Sequence, residues 1–141
     1  MNYANKRFED FRVGDRAEFS KTITADDILS FAEVTGDRHP AHLDPDYART
    51  TRFGAPVAHG MLTASLLSTA NALLLGLPGA ISVEQTVRFL RPVFVGDTIT
   101  ATSEVVEILP GRRRLRCRTT CVNQRGETIV AGQAIEQKDP S

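Results

Sequence analysis

Apolar residues recur with different periods in successive parts of this chain. Phe8, Phe11 and Val13 precede a Gly14-Asp15 turn signal, and Ala17 to Thr22 then suits a short strand. Thr24 followed by Asp27 marks a helix start, with Asp27 where a capping box carries Glu. Asp26 and Asp27 also complement the positive end of that helix. Ile28, Leu29, Phe31, Ala32 and Val34 give it an apolar side, and Gly36 offers the positive φ that ends it.

Periodicity then vanishes. Asp37 to Ala58 is broken by Pro40, Pro45, Gly54 and Pro56 and leaves room for at most a short helical turn near Asp46 to Ala48. A loop this long inside a compact domain is uncommon and usually functional.

From Gly60 to Leu75 a helix is predicted that is apolar on nearly every side, so other structure must wrap it. Gly76-Leu-Pro-Gly79 stops it. Four strand-like runs follow: Ala80–Arg91, Thr98–Leu109, Arg112–Asn123 and Glu127–Gln137, separated by turn residues. In the third, Leu115, Cys117, Thr119 and Cys121 share one parity, and Arg112, Arg114, Arg116 and Arg118 share the other. A sheet with one wet face requires that alternation. The outline is therefore a buried helix with one curled antiparallel sheet able to wrap it.

Length and composition narrow the class. At 141 residues the chain is expected to form one domain, residues 1–141, with 41% apolar and 24% charged residues, as in globular proteins. Lys+Arg and Asp+Glu are 17 each, which gives no support to bulk nucleic-acid binding. Met1 to Arg7 lacks the apolar core of a signal peptide, and Met61 to Leu77 is too polar and short to span a bilayer. A cytoplasmic protein with no membrane partner is the expectation. Cys117 and Cys121, four apart on one strand, read as core residues rather than a disulfide. The arginine parity reads as a solvated face, with phosphate binding the sharper alternative.

Chemistry concentrates in and after the loop. Asp37 and His42 flank Pro40, so a tight turn can aim both at one water, orient it and exchange its proton. A plain turn, with Asp37 closing it and His42 on the surface, fits the same composition. His39, His42 and His59 lack a recognised zinc spacing, and no metal is expected. Gly60 opens the greasy helix, where a backbone N–H and partial positive charge can hold a developing oxyanion. A glycine needed only for close packing explains it equally well.

The run Phe31-Ala-Glu-Val-Thr-Gly-Asp37-Arg-His-Pro40-Ala-His42-Leu-Asp44-Pro45-Asp46-Tyr47-Ala48 resembles the hydratase-2 motif of the MaoC-like dehydratase family, whose members include (R)-specific enoyl-CoA hydratases. Phe53-Gly-Ala-Pro-Val-Ala-His-Gly-Met61 and Phe89-Leu-Arg-Pro-Val-Phe-Val-Gly-Asp97 resemble its further signatures. The resemblance covers roughly Phe8 to Ala134. Where the family has Asn before Pro, this chain has His39, and the aliphatic position is Ala41.

The resemblance implies an α+β hot-dog fold, a curved antiparallel sheet wrapped around a long central helix, and a homodimer joined edge to edge. It implies reversible hydration of trans-2-enoyl thioesters to (R)-3-hydroxyacyl thioesters, with CoA or acyl carrier protein as the thiol partner and no cofactor. The catalytic residues carried over are Asp37 and His42 around the water and Gly60 at the oxyanion. Substrate contacts are expected from His39, His59, Met61, Leu62, Ser65 and Leu66. Two readings stay beside it: a hot-dog thioesterase, although no Gly-x-Ser-x-Gly elbow is present, and a non-catalytic subunit that binds acyl thioesters.

Overall fold

The computed structural model describes residues 2–140. Its first strand, β1, is Arg16–Thr22, followed by α1 at Ala25–Thr35. The predicted capping box is present: Asp27 N–H donates to Thr24 Oγ1 at 3.1 Å and Thr24 N–H donates to Asp27 Oδ2 at 2.9 Å. Gly36 ends the helix at φ 81°, a conformation that favours glycine.

The loop is more ordered than its composition suggests. It holds two short helical turns, α2 (Pro40–Leu43) and α3 (Pro45–Ala48), rather than one. Each proline takes the first helical position, where its missing N–H costs nothing. His39 caps the first turn through Nδ1, which accepts from Ala41 N–H at 3.1 Å; Asp44 caps the second through Oδ1.

The long helix α4 spans Gly60–Leu75, as its apolar run predicts. The remaining strands are β2 (Ala80–Gln85), β3 (Arg88–Phe89), β4 (Thr98–Leu109), β5 (Arg114–Val122) and β6 (Thr128–Lys138). They form one antiparallel sheet in the order β1-β4-β5-β6-β2, with β3 also pairing β6. The expected Ala80–Arg91 strand is thus two pieces. The break lies opposite Gly132 of β6, where a Cβ would stand 1.9 Å from the Thr86 carbonyl oxygen. The expected start of β5 at Arg112 also moves, because Pro110–Arg112 form a 3-10 turn and Arg113 adopts φ 55°.

Leu62, Leu66, Leu67 and Ala70 pack onto Ile99, Ala101, Cys121, Ile129 and Val130 of the sheet. Toward the other end, Leu74 and Leu75 meet Val105, Leu115, Cys117 and Phe8. Each large aliphatic side chain buried in this way contributes about 1.5–3 kcal/mol. Leu115, Cys117, Thr119 and Cys121 are buried, as their parity requires. On the other face Arg116 and Arg118 pair with Glu107 and Glu104 of β4, and Arg114 Nε donates to Gln137. The ion pairs on that half-exposed face match charges across strands rather than leave a phosphate site. Lys138 is fully buried at the end of β6. Its ammonium donates to the Leu75 carbonyl at 2.9 Å and also to that of Pro78, placing a cation at the negative end of α4.

Candidate active site

Three elements bring the site together: the turn after α1, the α2 turn and the start of α4. Asp37 sits just past the Gly36 cap. Its Oδ1 accepts from His39 N–H at 3.2 Å, which holds the carboxylate over the loop. His42 lies in α2, and its Nδ1 is 2.7 Å from the Val57 carbonyl oxygen. A carbonyl only accepts, so Nδ1 carries the hydrogen and Nε2 is left as the basic nitrogen of the neutral ring.

His59 lies beneath His42. The two rings stack with centroids 4.0 Å apart at 28°. His59 is buried, tilts against Phe31 at 4.9 Å, and its Nε2 donates to the Asp37 carbonyl oxygen at 2.9 Å. One buried imidazole therefore supports the ring of His42 and the backbone of Asp37 together. Ligand-capable atoms of Asp37, His42 and His59 lie within 4.8 Å of one another. Each histidine already directs one nitrogen at a backbone carbonyl, which leaves one ring nitrogen on each.

His42 and Gly60 line a cavity of about 280 Å³. Its inner wall comes from buried side chains, among them Val57, Ala58, Val93, Ile129 and Val130. Its rim carries Arg52, Phe53, Phe89 and Arg91. Gly60 lets the Phe89 ring come close: a Cβ at this position would lie 2.8 Å from that ring and push it aside. As the first residue of α4, Gly60 also has a backbone N–H with no intrahelical acceptor, at the helix's positive end.

The other expected contact residues spread out. His39 is exposed, its ring 6.1 Å from that of His42 and 5.8 Å from that of Tyr47. Met61 and Ser65 face outward on α4, while Leu62 and Leu66 are in the core under the sheet. The cavity walls instead include Phe53, Phe89, Arg91 and Val93, which stand inside the motifs quoted for the resemblance, and Thr63, which nothing in the apolar run singles out. Among the described residues, no helix is long and apolar enough to cross a membrane.

The comparisons agree with this arrangement. The MaoC like domain matches residues 11–129. The chain is 42% identical to an (R)-specific enoyl-CoA hydratase of Rhodospirillum rubrum over 90% of its own length and 88% of that protein's. It is 41% identical to a 3-hydroxybutyryl-CoA dehydratase of Methylorubrum extorquens, over 94% and 88% of the two chains. The (R)-hydratase of Aeromonas caviae involved in PHA biosynthesis superposes with TM-score 0.88 at 37% identity, covering 93% of this chain and 99% of that one. An unliganded (R)-hydratase of Pseudomonas aeruginosa gives 0.86 at 42% identity, over 94% and 86%. Sheet, helix, loop chemistry and relatives converge, and the chain belongs to the MaoC-like family of hot-dog proteins.

Proposed function

We propose that this protein is a hydro-lyase that reversibly adds water to trans-2-enoyl thioesters and yields (R)-3-hydroxyacyl thioesters. The observation that carries this reading is the convergence of Asp37 and His42 beside a cavity walled by Gly60. The thioester carbonyl accepts from the Gly60 N–H, which stabilises the enolate oxygen as negative charge moves onto it. The Asp37 carboxylate orients a water at the β-carbon, and His42 Nε2 takes its proton as the C–O bond forms. The resulting imidazolium, faced by Asp37, returns a proton to the α-carbon from the same side. The balance is one water added across the double bond, with no redox change.

The rim supports a thioester of CoA or of a carrier protein, because Arg52 and Arg91 place two cations where a phosphate-bearing thiol arm would cross. The Rhodospirillum rubrum and Methylorubrum extorquens relatives are named for CoA thioesters, and we take CoA as the carrier.

Residues 1–141 act as one unit in this reading, in the cytoplasm and as a homodimer. The exposed edge strand β2, with Ile81 and Val83, supports edge-to-edge pairing of two copies, which would shelter an otherwise open strand. Met61 and Ser65 on the outward side of α4 are then available to a partner's substrate channel. The reaction is tested by following loss of enoyl-thioester absorbance with purified protein. Asp37- and His42-dependent turnover supports it, and turnover that survives both substitutions overturns it.

A further inference from the structure

The α2 turn is capped by a side chain whose hydrogen-bonding role changes with pH. α2 is a single turn, Pro40–Leu43, and Pro40 has no N–H to give. The first donor of the turn is therefore the Ala41 N–H, and its acceptor is His39 Nδ1 at 3.1 Å. α1 and α3 take the same help from the Thr24 hydroxyl and the Asp44 carboxylate. An imidazole differs from those oxygens. Nδ1 accepts only while it carries no proton, so in the capping state the hydrogen of the neutral ring is on Nε2. A proton at Nδ1 turns the acceptor into a second donor facing the Ala41 N–H, and histidine is the side chain that gains one between about pH 8 and 5.

Ala41 stands between this cap and the ring of His42. Its carbonyl accepts from the Val57 N–H at 3.2 Å, and the Val57 carbonyl accepts from His42 Nδ1 at 2.7 Å. The His42 N–H in turn donates to the His39 carbonyl at 3.0 Å. A four-residue helix has few bonds of its own to hold it once its cap is lost. A shift of Ala41 therefore passes to the Val57 segment and to the ring that this segment aims. The groups facing His39 are Asp37 from the turn after α1, His42 of α2 and Tyr47 of α3, with Arg38 before it in the chain. Asp37 Oδ1 is engaged by the His39 backbone N–H. His39 is exposed, so a proton from solvent reaches its ring without opening the fold.

We propose that His39 makes the site pH-sensitive: with Nδ1 free it holds the α2 turn that presents His42, and with Nδ1 protonated it releases that turn and activity falls. The effect on activity rests on the hydratase reading, but the state of the cap can be read without turnover.

The test has two arms. In the first, the wild-type protein is titrated by NMR from about pH 8 to about pH 5, following the His39 ring nitrogens and the Ala41 amide. His39 Nδ1 should be unprotonated at the upper end, and the Ala41 amide proton should move upfield with the same midpoint as the His39 ring. An Ala41 amide that stays in place while His39 titrates overturns the proposal. In the second arm, kcat/KM for crotonyl-CoA is measured over the same range for the wild type, His39→Asn and His39→Ala, each normalised to its own value at the upper end. Asn caps without titrating and Ala has no cap to lose, while the protonation of His42 remains in all three. The wild type should lose about fivefold more than either variant at the acid end, the scale of one lost cap. Superimposable normalised profiles overturn the proposal. If crotonyl-CoA is not hydrated at any pH, the hydratase reading fails and the first arm alone decides the cap.

Discussion

The imidazole of His42 rests on the imidazole of His59, with ring centroids 4.0 Å apart, while His59 Nε2 reaches the backbone oxygen of Asp37 at 2.9 Å. The lower histidine touches both halves of the acid–base pair without itself lining the cavity. Its role is to position. His59→Phe preserves a flat ring beneath His42 but removes the hydrogen bond to the Asp37 loop. We expect kcat to fall about 10²-fold, the scale of a small misplacement of reacting groups. KM should change much less. Loss of KM alone would show that His59 serves binding instead.

His42 and Asp37 carry the proton transfers in this account. His42→Ala and Asp37→Asn should each lower kcat by about 10²–10⁴-fold, the usual worth of a positioned acid or base. The two losses should not add in the double variant, because both groups act on one water. Circular dichroism melts should stay near wild type, since neither side chain is part of the buried core.

His39 fills a place where the family has Asn, and the structure shows what the substitution keeps. Its Nδ1 accepts the Ala41 N–H, an N-cap contact that an Asn oxygen also makes. His39→Asn should therefore retain activity within a few-fold, whereas His39→Ala should lose the cap and about 1 kcal/mol of stability. Equal stability of the two variants in chemical denaturation would contradict the capping role.

Glu136 gives the stability a pH dependence. It is buried on the concave face, its carboxylate held by the Ser82 hydroxyl at 3.0 Å, and burial pushes its pKa up to about 7. The unfolded chain titrates near the ordinary carboxylate value, so between about pH 4.5 and 7 the native state holds a proton that the unfolded state has lost. Stability from this group is therefore full below about pH 4.5 and declines as pH rises through 7. Glu136→Gln should flatten the loss between about pH 4.5 and 7, read as denaturation midpoints. An unchanged slope would assign the dependence elsewhere.

The two thiols should be inert in the native state. Burial raises the Cys117 pKa to about 11 and that of Cys121 to about 12, and both side chains are enclosed. Iodoacetamide should label them only after unfolding. Rapid labelling of the native protein would show that the sheet opens locally.

Much of this architecture can be read along the chain because its signals are local. The α1 cap at Thr24 and Asp27, the Gly36 stop and the bounds of α4 at Gly60 and Leu75 depend on neighbours in sequence. The division of the expected Ala80–Arg91 strand does not. It arises from the approach of Thr86 to Gly132, a residue that pairs from the far end of the chain. The site divides in the same way. Asp37, His42 and Gly60 are visible as a motif, whereas the stack that makes His59 a support is a tertiary contact. Leu62 and Leu66 read as pocket residues on a greasy helix; they pack in the same core cluster as the cavity-wall residues Val93, Ile129 and Val130. A helix that is apolar all round gives no sequence signal of which face meets the cavity, which is why Thr63 is inconspicuous until the fold places it.

The central claim is that Asp37 and His42 deliver one water to one face of an enoyl thioester. The most direct measurement is hydration of crotonyl-CoA by the purified protein, with chiral analysis of the 3-hydroxybutyryl product and Asp37→Asn as control. The account predicts rapid conversion to the (R)-alcohol, reduced at least 10²-fold in the variant. A racemic or (S) product, or conversion unaffected by the loss of the carboxylate, would contradict it.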